Sequence, residues 1–361
     1  MCASLQVASF VERPEAPGLS LSPCRTRVLY TNRPSAYPPV SELARLELRL
    51  AGLRLDAAQH TRSRLGFATA LAFAPLPPGG PPGAAVPVTG IPAGAFLNYI
   101  KWRVRSRVEA FLCTIGKRLT CLHSRSPSGT RVAFTVRGSG EAGCALPRGG
   151  CALWVADADT CVARPVLEGH TLNLSLDEVA WLSDELLVAP VVAHGGPPPS
   201  RPPAPPGPRV QTSRVGQNKE ARTYADLLKD SHDVALFTHF CESRLLLVSA
   251  TAAFPPVPAD AASGSPPRLY TRFEASNDGR FALVEYLQPP FSFSVPAGRF
   301  PKTVQLWRLQ SRGAAHPSAE ACVTLAVRLA ALAWGARERL VPSPLSSCLV
   351  TTYLLYFSNI G

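Results

Sequence analysis

The chain has 361 residues, a formal net charge of +12 and 46% hydrophobic residues. This hydrophobic content excludes a wholly disordered protein, and the length is enough for one large domain or two ordinary ones. The 37 prolines and 26 glycines disfavour a protein built from long helices.

A short apolar run, a polar turn and a second apolar run recur along the chain. The copies span residues 19–30, 126–134 and 273–284, and Leu-Trp pairs follow at 153–154 and 306–307. The third copy contains Asn-Asp-Gly, whose residues tolerate the positive φ of a tight hairpin turn. Repeated hairpins with a late Trp are typical of β-propeller blades, and a β-sandwich is the alternative. We predict an all-β protein.

Between the hairpins, residues 75–94 and 194–219 are rich in proline and predict extended, solvated loops. Their Pro-x-x-Pro spacings could dock on a proline-binding module, but a plain loop is favoured. Residues 223–230 predict one short helix or a structured turn. Turn and helix-cap positions, rather than acid–base pairs, are predicted for Asp157, Asp159, Asp226, Asp230 and Asp233.

No cofactor or metal motif is recognisable. The ten cysteines are irregularly spaced without Cys-x-x-Cys, and neither a phosphate-binding Gly-x-x-x-x-Gly-Lys loop nor His-Glu-x-x-His occurs. We therefore expect no cofactor, no metal and free thiols in a reducing compartment. The apolar runs 321–334 and 345–357 are unlike membrane spans, since the first contains Arg328 and the second is short. We expect no membrane association.

Three segments carry a resemblance to a known family. They are residues 41–56 (SELARLELRLAGLRLD) with 61–64 (TRSR), residues 221–230 (ARTYADLLKD) and residues 288–307 (QPPFSFSVPAGRFPKTVQLW). In this order they resemble the N-terminal propeller region of plant and algal glutamyl endopeptidases of the chloroplast type, within the prolyl-oligopeptidase group of serine peptidases. The resemblance covers residues 12–102 and 126–307.

The resemblance implies an incomplete β-propeller over residues 12–307, after an N-terminal lead of residues 1–11. Two segments depart from the family pattern. Residues 103–125 form a basic insertion, whose deletion would join Trp102 to Ser126 as in the family. Residues 308–361 form a divergent, Ala/Leu-rich tail for which we consider a helix. Both departures are interpreted as translated intron or mispredicted exon, and the alternative is a lineage-specific loop with a divergent terminus.

The family implies a second, α/β-hydrolase domain with a Ser-Asp-His triad, cleavage after Glu, and a propeller that gates the active site. The nucleophile of that triad lies in a Gly-x-Ser-x-Gly elbow. The nearest matches here, residues 138–140 and 263–265, lack its spacing, so we assign no catalytic residue. We expect this chain to be inactive alone and to meet peptide or protein substrates only when joined to a catalytic domain.

Arg299 and Lys302 lie in the most distinctive family segment. They are candidates for contact with an acidic substrate or partner, although support of a turn or of a neighbouring blade is the favoured interpretation. The resemblance suggests the chloroplast stroma. Because residues 1–10 show no transit peptide, a cytoplasmic location stays open.

Two other functions are alternatives to this one. One is a stand-alone propeller that binds proteins as a scaffold. The other is nucleic-acid binding, which is disfavoured because no recognisable nucleic-acid fold surrounds the cluster of basic residues. That cluster comprises Arg103, Arg105, Arg107, Lys117, Arg118 and Arg125. The oligomeric state is left open.

Overall fold

The computed structural model describes residues 16–33, 40–63, 66–102, 129–138, 149–183, 185–203, 207, 224–251, 257–258, 266–276, 281–310 and 318–328. Strands predominate in these residues. They are β1 (Gly18–Leu21), β2 (Arg27–Asn32), β3 (Leu48–Leu50), β4 (Leu53–Asp56), β5 (Thr61–Arg62), β6 (Ala70–Pro75), β7 (Val86–Pro87), β8 (Ala95–Trp102), β9 (Arg131–Gly138), β10 (Ala152–Asp157), β11 (Val162–Pro165), β12 (Ala180–Trp181), β13 (Leu186–Val192), β14 (Ser243–Ser249), β15 (Val257–Pro258), β16 (Leu269–Ala275), β17 (Phe281–Leu287), β18 (Lys302–Gln310) and β19 (Ser318–Arg328). The helices are α1 (Val40–Leu43), α2 (Ser231–Cys241) and a 3₁₀ turn (Ala297–Arg299).

The strands form five sheets, which we label A to E. Sheet A has the order β1-β2-β6-β7, sheet C β8-β9-β10-β11, sheet D β12-β13-β14-β15 and sheet E β16-β17-β18-β19. Sheet B is the three-stranded β3-β4-β5, inserted between β2 and β6. Each of the four large sheets is an antiparallel meander, and no sheet closes on itself within the described residues. The all-β prediction is confirmed.

The four large sheets pack face to face in chain order, A on C, C on D and D on E. Sheet C shows why, because its residues alternate between two cores as the pleat requires. Phe134 and Trp154 pack with Leu29 and Phe73 of sheet A. Leu153 and Val155, the neighbours of Trp154 along β10, point to the opposite face and pack with sheet D. Sheet D in turn packs against sheet E, since Leu245 and Leu247 share one buried cluster with Val284 and Trp307.

The predicted hairpins at 19–30 and 273–284 are confirmed as β1–β2 and β16–β17. The Leu-Trp pairs lie in β10 and β18. For residues 223–230 the sequence predicts a short helix or a structured turn, and residues 224–230 are not helical but bend at 224–226 and 230. The helix α2 begins at Ser231, because the Asp230 carboxylate accepts a hydrogen bond of 2.9 Å from the Asp233 N–H and caps the helix.

The two segments outside the family pattern are described only at their borders. Residues 103–125 lie outside the described residues, and the register of the flanking strands pairs Trp102 of β8 with Val132 of β9. In the tail, β18 continues to Gln310 and residues 318–328 form β19, not the helix that we considered. This strand contains the β-branched Val323, Thr324 and Val327, which favour extended backbone.

Candidate functional site

The three family-like segments meet in one place, which we call the junction. The Gly52 N–H donates to the Asp226 carbonyl at 2.8 Å, and the Ala297 N–H donates to the Ala51 carbonyl at 2.7 Å. Thus the first segment binds the second and the third through main-chain hydrogen bonds. Side chains from all three segments and from α2 and strands β16 and β17 share one buried cluster, which includes Leu50, Leu55, Leu228, Phe237, Phe240, Leu269, Leu287, Phe291 and Phe300.

The junction depends on a tight turn between β3 and β4. Both turn residues have positive φ, 51° at Ala51 and 77° at Gly52, as a two-residue hairpin of type I′ requires. A Cβ atom at Gly52 would lie 2.6 Å from the Cβ of Pro296. The close approach of the third segment therefore requires glycine at this position. Asp226, the partner of Gly52, also has a positive φ of 58°.

Charged and aromatic side chains cover the exposed side of the junction. Arg54 Nε donates to Asp226 Oδ2 at 3.1 Å, and Arg49 Nη1 lies 4.0 Å from Asp226 Oδ1. The guanidinium carbon of Arg299 lies 5.2 Å from the centre of the Tyr224 ring. The sequence predicted Arg299 as a contact residue. The structure places it, exposed, on the second segment.

Lys302, the second predicted contact residue, lies in sheet E. Its Nζ atom is 2.6 Å from Glu285 Oε1, which also accepts a hydrogen bond of 2.8 Å from the Thr271 hydroxyl. Burial alone would raise the pKa of Glu285, but the hydrogen bonds from Lys302 and Thr271 outweigh it and lower that pKa. Lys302 therefore joins β18 to β17 through a carboxylate that stays ionised, while Arg299 engages Tyr224.

A second charged group lies where the chain enters sheet D. Lys101 forms an ion pair with Glu178, and the neighbouring Asp177 accepts a hydrogen bond of 2.8 Å from the Glu178 N–H. The other carboxylate oxygen of Asp177 is buried and has no hydrogen-bond partner among the residues that the structure describes. Burial raises the pKa of Asp177 to about 7, and the negative charges of Glu178 and Glu285 add to this.

A buried ion-pair network holds α1 against sheet C. Arg137 Nη2 donates to Glu42 Oε2 at 2.7 Å, and its Nε donates to Asn98 Oδ1 at 3.2 Å. Arg45 Nη1 extends the network to Asp56 Oδ2 at 2.7 Å. The pairs balance the charge of both arginines, so we assign this network a structural role.

Asp230, His232 and Asp233 lie close enough together to hold a cation. Their polar atoms, however, already serve the start of α2. Asp230 caps the helix, Asp233 accepts a hydrogen bond of 2.9 Å from the Lys229 N–H, and His232 Nε2 lies 3.1 Å from the Pro199 carbonyl. As predicted, Asp230 is a cap residue. Asp157 likewise accepts the Asp159 and Thr160 N–H groups in a turn.

Sequence reasoning singled out Arg299 but not Arg49, Arg54 or Tyr224, which share its surface. All four lie within the segments that carry the family resemblance. These four residues come together through pairing between distant parts of the chain. The sequence therefore offered one sign of a shared surface, namely that all four lie in the family-like segments.

Among the described residues, no helix is both long enough and apolar enough to span a membrane.

Comparison with known proteins confirms the resemblance read from these segments. The chain is 33% identical over 310 residues to a protein of Arabidopsis thaliana named probable glutamyl endopeptidase, chloroplastic, a match that covers 85% of this chain and 29% of that protein. A rice protein (Oryza sativa subsp. japonica) of the same name is 32% identical over 305 residues, covering 84% of this chain and 29% of that protein. The chain is therefore similar to a part of the chloroplastic glutamyl endopeptidases and spans under a third of their length.

No family model matches the chain. Among solved structures, the isopeptidase AtxE2 in its apo form is 16% identical with a TM-score of 0.23, and the match covers 86% of this chain and 44% of that protein.

Proposed function

We propose that the chain is the propeller portion of a glutamyl-endopeptidase-like serine peptidase, and that this portion controls which substrates reach a catalytic domain. Four consecutive four-stranded meanders packed in chain order carry the proposal. Radial repetition of such sheets is the architecture of a β-propeller. The matched region of the relatives supports it, since 310 residues of this chain align with a protein named as a glutamyl endopeptidase.

In this proposal the chain has no peptidase activity of its own. Acyl transfer by a serine peptidase needs a nucleophile, a base and an oxyanion site held together. The 361 residues contain no Gly-x-Ser-x-Gly elbow to provide the first of these. Purified chain should leave Glu-containing fluorogenic peptides intact. Turnover that a serine-directed covalent inhibitor abolishes would refute this part of the proposal.

Control of substrate access by this chain can be tested by exchanging it into a related enzyme. We would replace the matching region of the Arabidopsis relative with this chain and assay the chimera on a short Glu-containing peptide and on a folded protein with accessible Glu residues. A gating propeller should allow cleavage of the peptide and exclude the folded protein. Deleting the exchanged region from the same enzyme is the control and should remove the discrimination. Equal discrimination with and without the region would contradict gating.

We also propose a chloroplast location, because both curated relatives are named as chloroplastic. A fluorescent fusion of the gene's complete product in plant cells should colocalise with chlorophyll. A diffuse cytoplasmic signal would contradict it.

A further inference from the structure

The exposed side of the junction presents a set of side chains suited to an acidic ligand. It consists of Arg49, Arg54, Tyr224, Asp226 and Arg299, and we call it the arginine face. We propose that the arginine face binds a carboxylate-rich peptide segment of another protein. This function goes beyond the peptidase proposal and does not depend on it.

Positive charge exceeds negative charge on the exposed part of the arginine face. Two of its three guanidinium groups, those of Arg49 and Arg54, pair with Asp226, and Arg49 Nη2 also lies 3.7 Å from Oε2 of the nearby Glu47. The third, that of Arg299, lies over the Tyr224 ring. The Glu47 side chain is only 7% exposed, whereas those of Arg49 and Arg54 are 55% and 47% exposed. An approaching ligand therefore meets mainly cationic groups, and opposite charge on the ligand favours association.

The arginines also retain hydrogen-bonding capacity. In the part of the chain that the structure describes, Arg54 donates only from Nε, and Arg49 makes only the two long ion pairs. Each guanidinium group has five N–H donors in a planar fork that matches a carboxylate. Several donors on this face are thus available to carboxylates of a second chain.

The arginine face is rigid and has the composition of an interaction surface. Its base is the turn of Ala51 and Gly52, tied by main-chain hydrogen bonds to Asp226 and Ala297. Tyr224 is 37% exposed and packs on Arg299. Arg and Tyr are the residues most enriched at protein interfaces, and a rigid surface loses little entropy on binding.

An acidic peptide fits better than nucleic acid. Nucleic-acid binding requires many basic groups placed along a phosphate backbone. The arginine face has two arginines at the Asp226 carboxylate and a third over the Tyr224 ring, which gives a small positive excess confined to one spot. A positive excess this small can bind a few carboxylates on a flexible peptide segment.

Fluorescence anisotropy with the full chain and labelled hexaglutamate tests the proposal, with hexaglutamine and a single-stranded oligonucleotide as parallel probes. We expect hexaglutamate to bind in a salt-sensitive manner. Replacing Arg49, Arg54 and Arg299 with Gln should weaken binding about tenfold, since each exposed charge pair contributes modestly. The matched control is Arg201→Gln, because Arg201 is 71% exposed and pairs with a single carboxylate, that of Asp230, at 3.3 Å. It should leave the affinity unchanged.

A gain-of-binding variant separates loss of the site from loss of the fold. Asp226→Asn removes the carboxylate that competes with the ligand, and Asn tolerates the positive φ of 58° at this position. Hexaglutamate should then bind about threefold more tightly, the size expected for one exposed charge pair. The proposal is overturned if hexaglutamate does not bind, if the Asp226→Asn variant shows no gain, if the triple variant binds like the unmodified chain, or if the oligonucleotide binds more tightly.

Discussion

Replacing Gly52 with alanine should loosen the junction. The backbone at Gly52 has a φ of 77°, and a new Cβ atom would lie 2.6 Å from the Cβ of Pro296. The left-handed conformation costs about 1 kcal/mol for alanine. Overpacking against a proline ring adds about 1–3 kcal/mol, because the ring cannot turn away. We expect the free energy of unfolding to fall by about 2–4 kcal/mol.

The matched control is Gly79→Ala. Gly79 has nearly the same φ, 73°, but no atom lies within 4 Å of a Cβ built there. This variant should therefore show the conformational cost alone, about 1 kcal/mol. The difference between the two variants measures the contact between the first and third family-like segments.

Urea unfolding followed by tryptophan fluorescence compares the two variants with the unmodified chain. The expected order of midpoints is unmodified chain, Gly79→Ala and then Gly52→Ala, with similar slopes. Equal midpoints for the two variants would refute the reasoning, because the contact with Pro296 would then contribute nothing to stability.

Three further predictions concern pH and the insertion. Burial lowers the pKa of His60 and His239, with neighbouring histidines adding to the effect, so each of these two rings should destabilise the fold as the pH falls below about 6.5; urea midpoints of the unmodified chain and of His239→Gln between pH 7.5 and 5 measure this for His239, and the variant should become more stable relative to the unmodified chain as the pH falls. Burial raises the pKa of Asp177 to about 7, so folding favours its protonated form and Asp177→Asn should stabilise the chain at pH 8, with a gain that vanishes near pH 4 in thermal unfolding. Deleting residues 103–125 should leave the circular dichroism spectrum unchanged and the chain at least as stable, because Trp102 already pairs across the loop.

Each of these three predictions would be contradicted by one particular result. A His239→Gln variant that gains no stability relative to the unmodified chain between pH 6.5 and pH 5 contradicts the sign for that histidine. A stabilisation by Asp177→Asn that is equally large at pH 4 and pH 8 contradicts a titrating carboxyl group. Loss of β-sheet signal on deletion of residues 103–125 contradicts the expectation that the sheets form without them.

Local chemistry made the hairpins predictable. The turn before Phe281 has Asn-Asp-Gly, and the flanking β-branched and aromatic residues favour strands. The sequence before α2 left a short helix and a structured turn open. Leu227 and Leu228 enter the buried core in non-helical backbone, and the helix begins only after the aspartate cap.

The junction could be predicted only in part. The three segments were recognised separately, but their meeting depends on pairings between residues far apart, such as Gly52 with Asp226. Local spacing does not encode such pairs. The burial of Arg137 against Phe96 and Glu42 is likewise a tertiary effect, since arginine is rarely buried without a partner.

The propeller proposal makes a direct geometric claim about sheets A, C, D and E. A crystal structure of the full chain measures their arrangement. We predict that the four sheets follow one another around a common axis, with the first strands of sheets C, D and E nearest to it. Two sheets that face each other across a single core, as in a β-sandwich, would contradict the proposal.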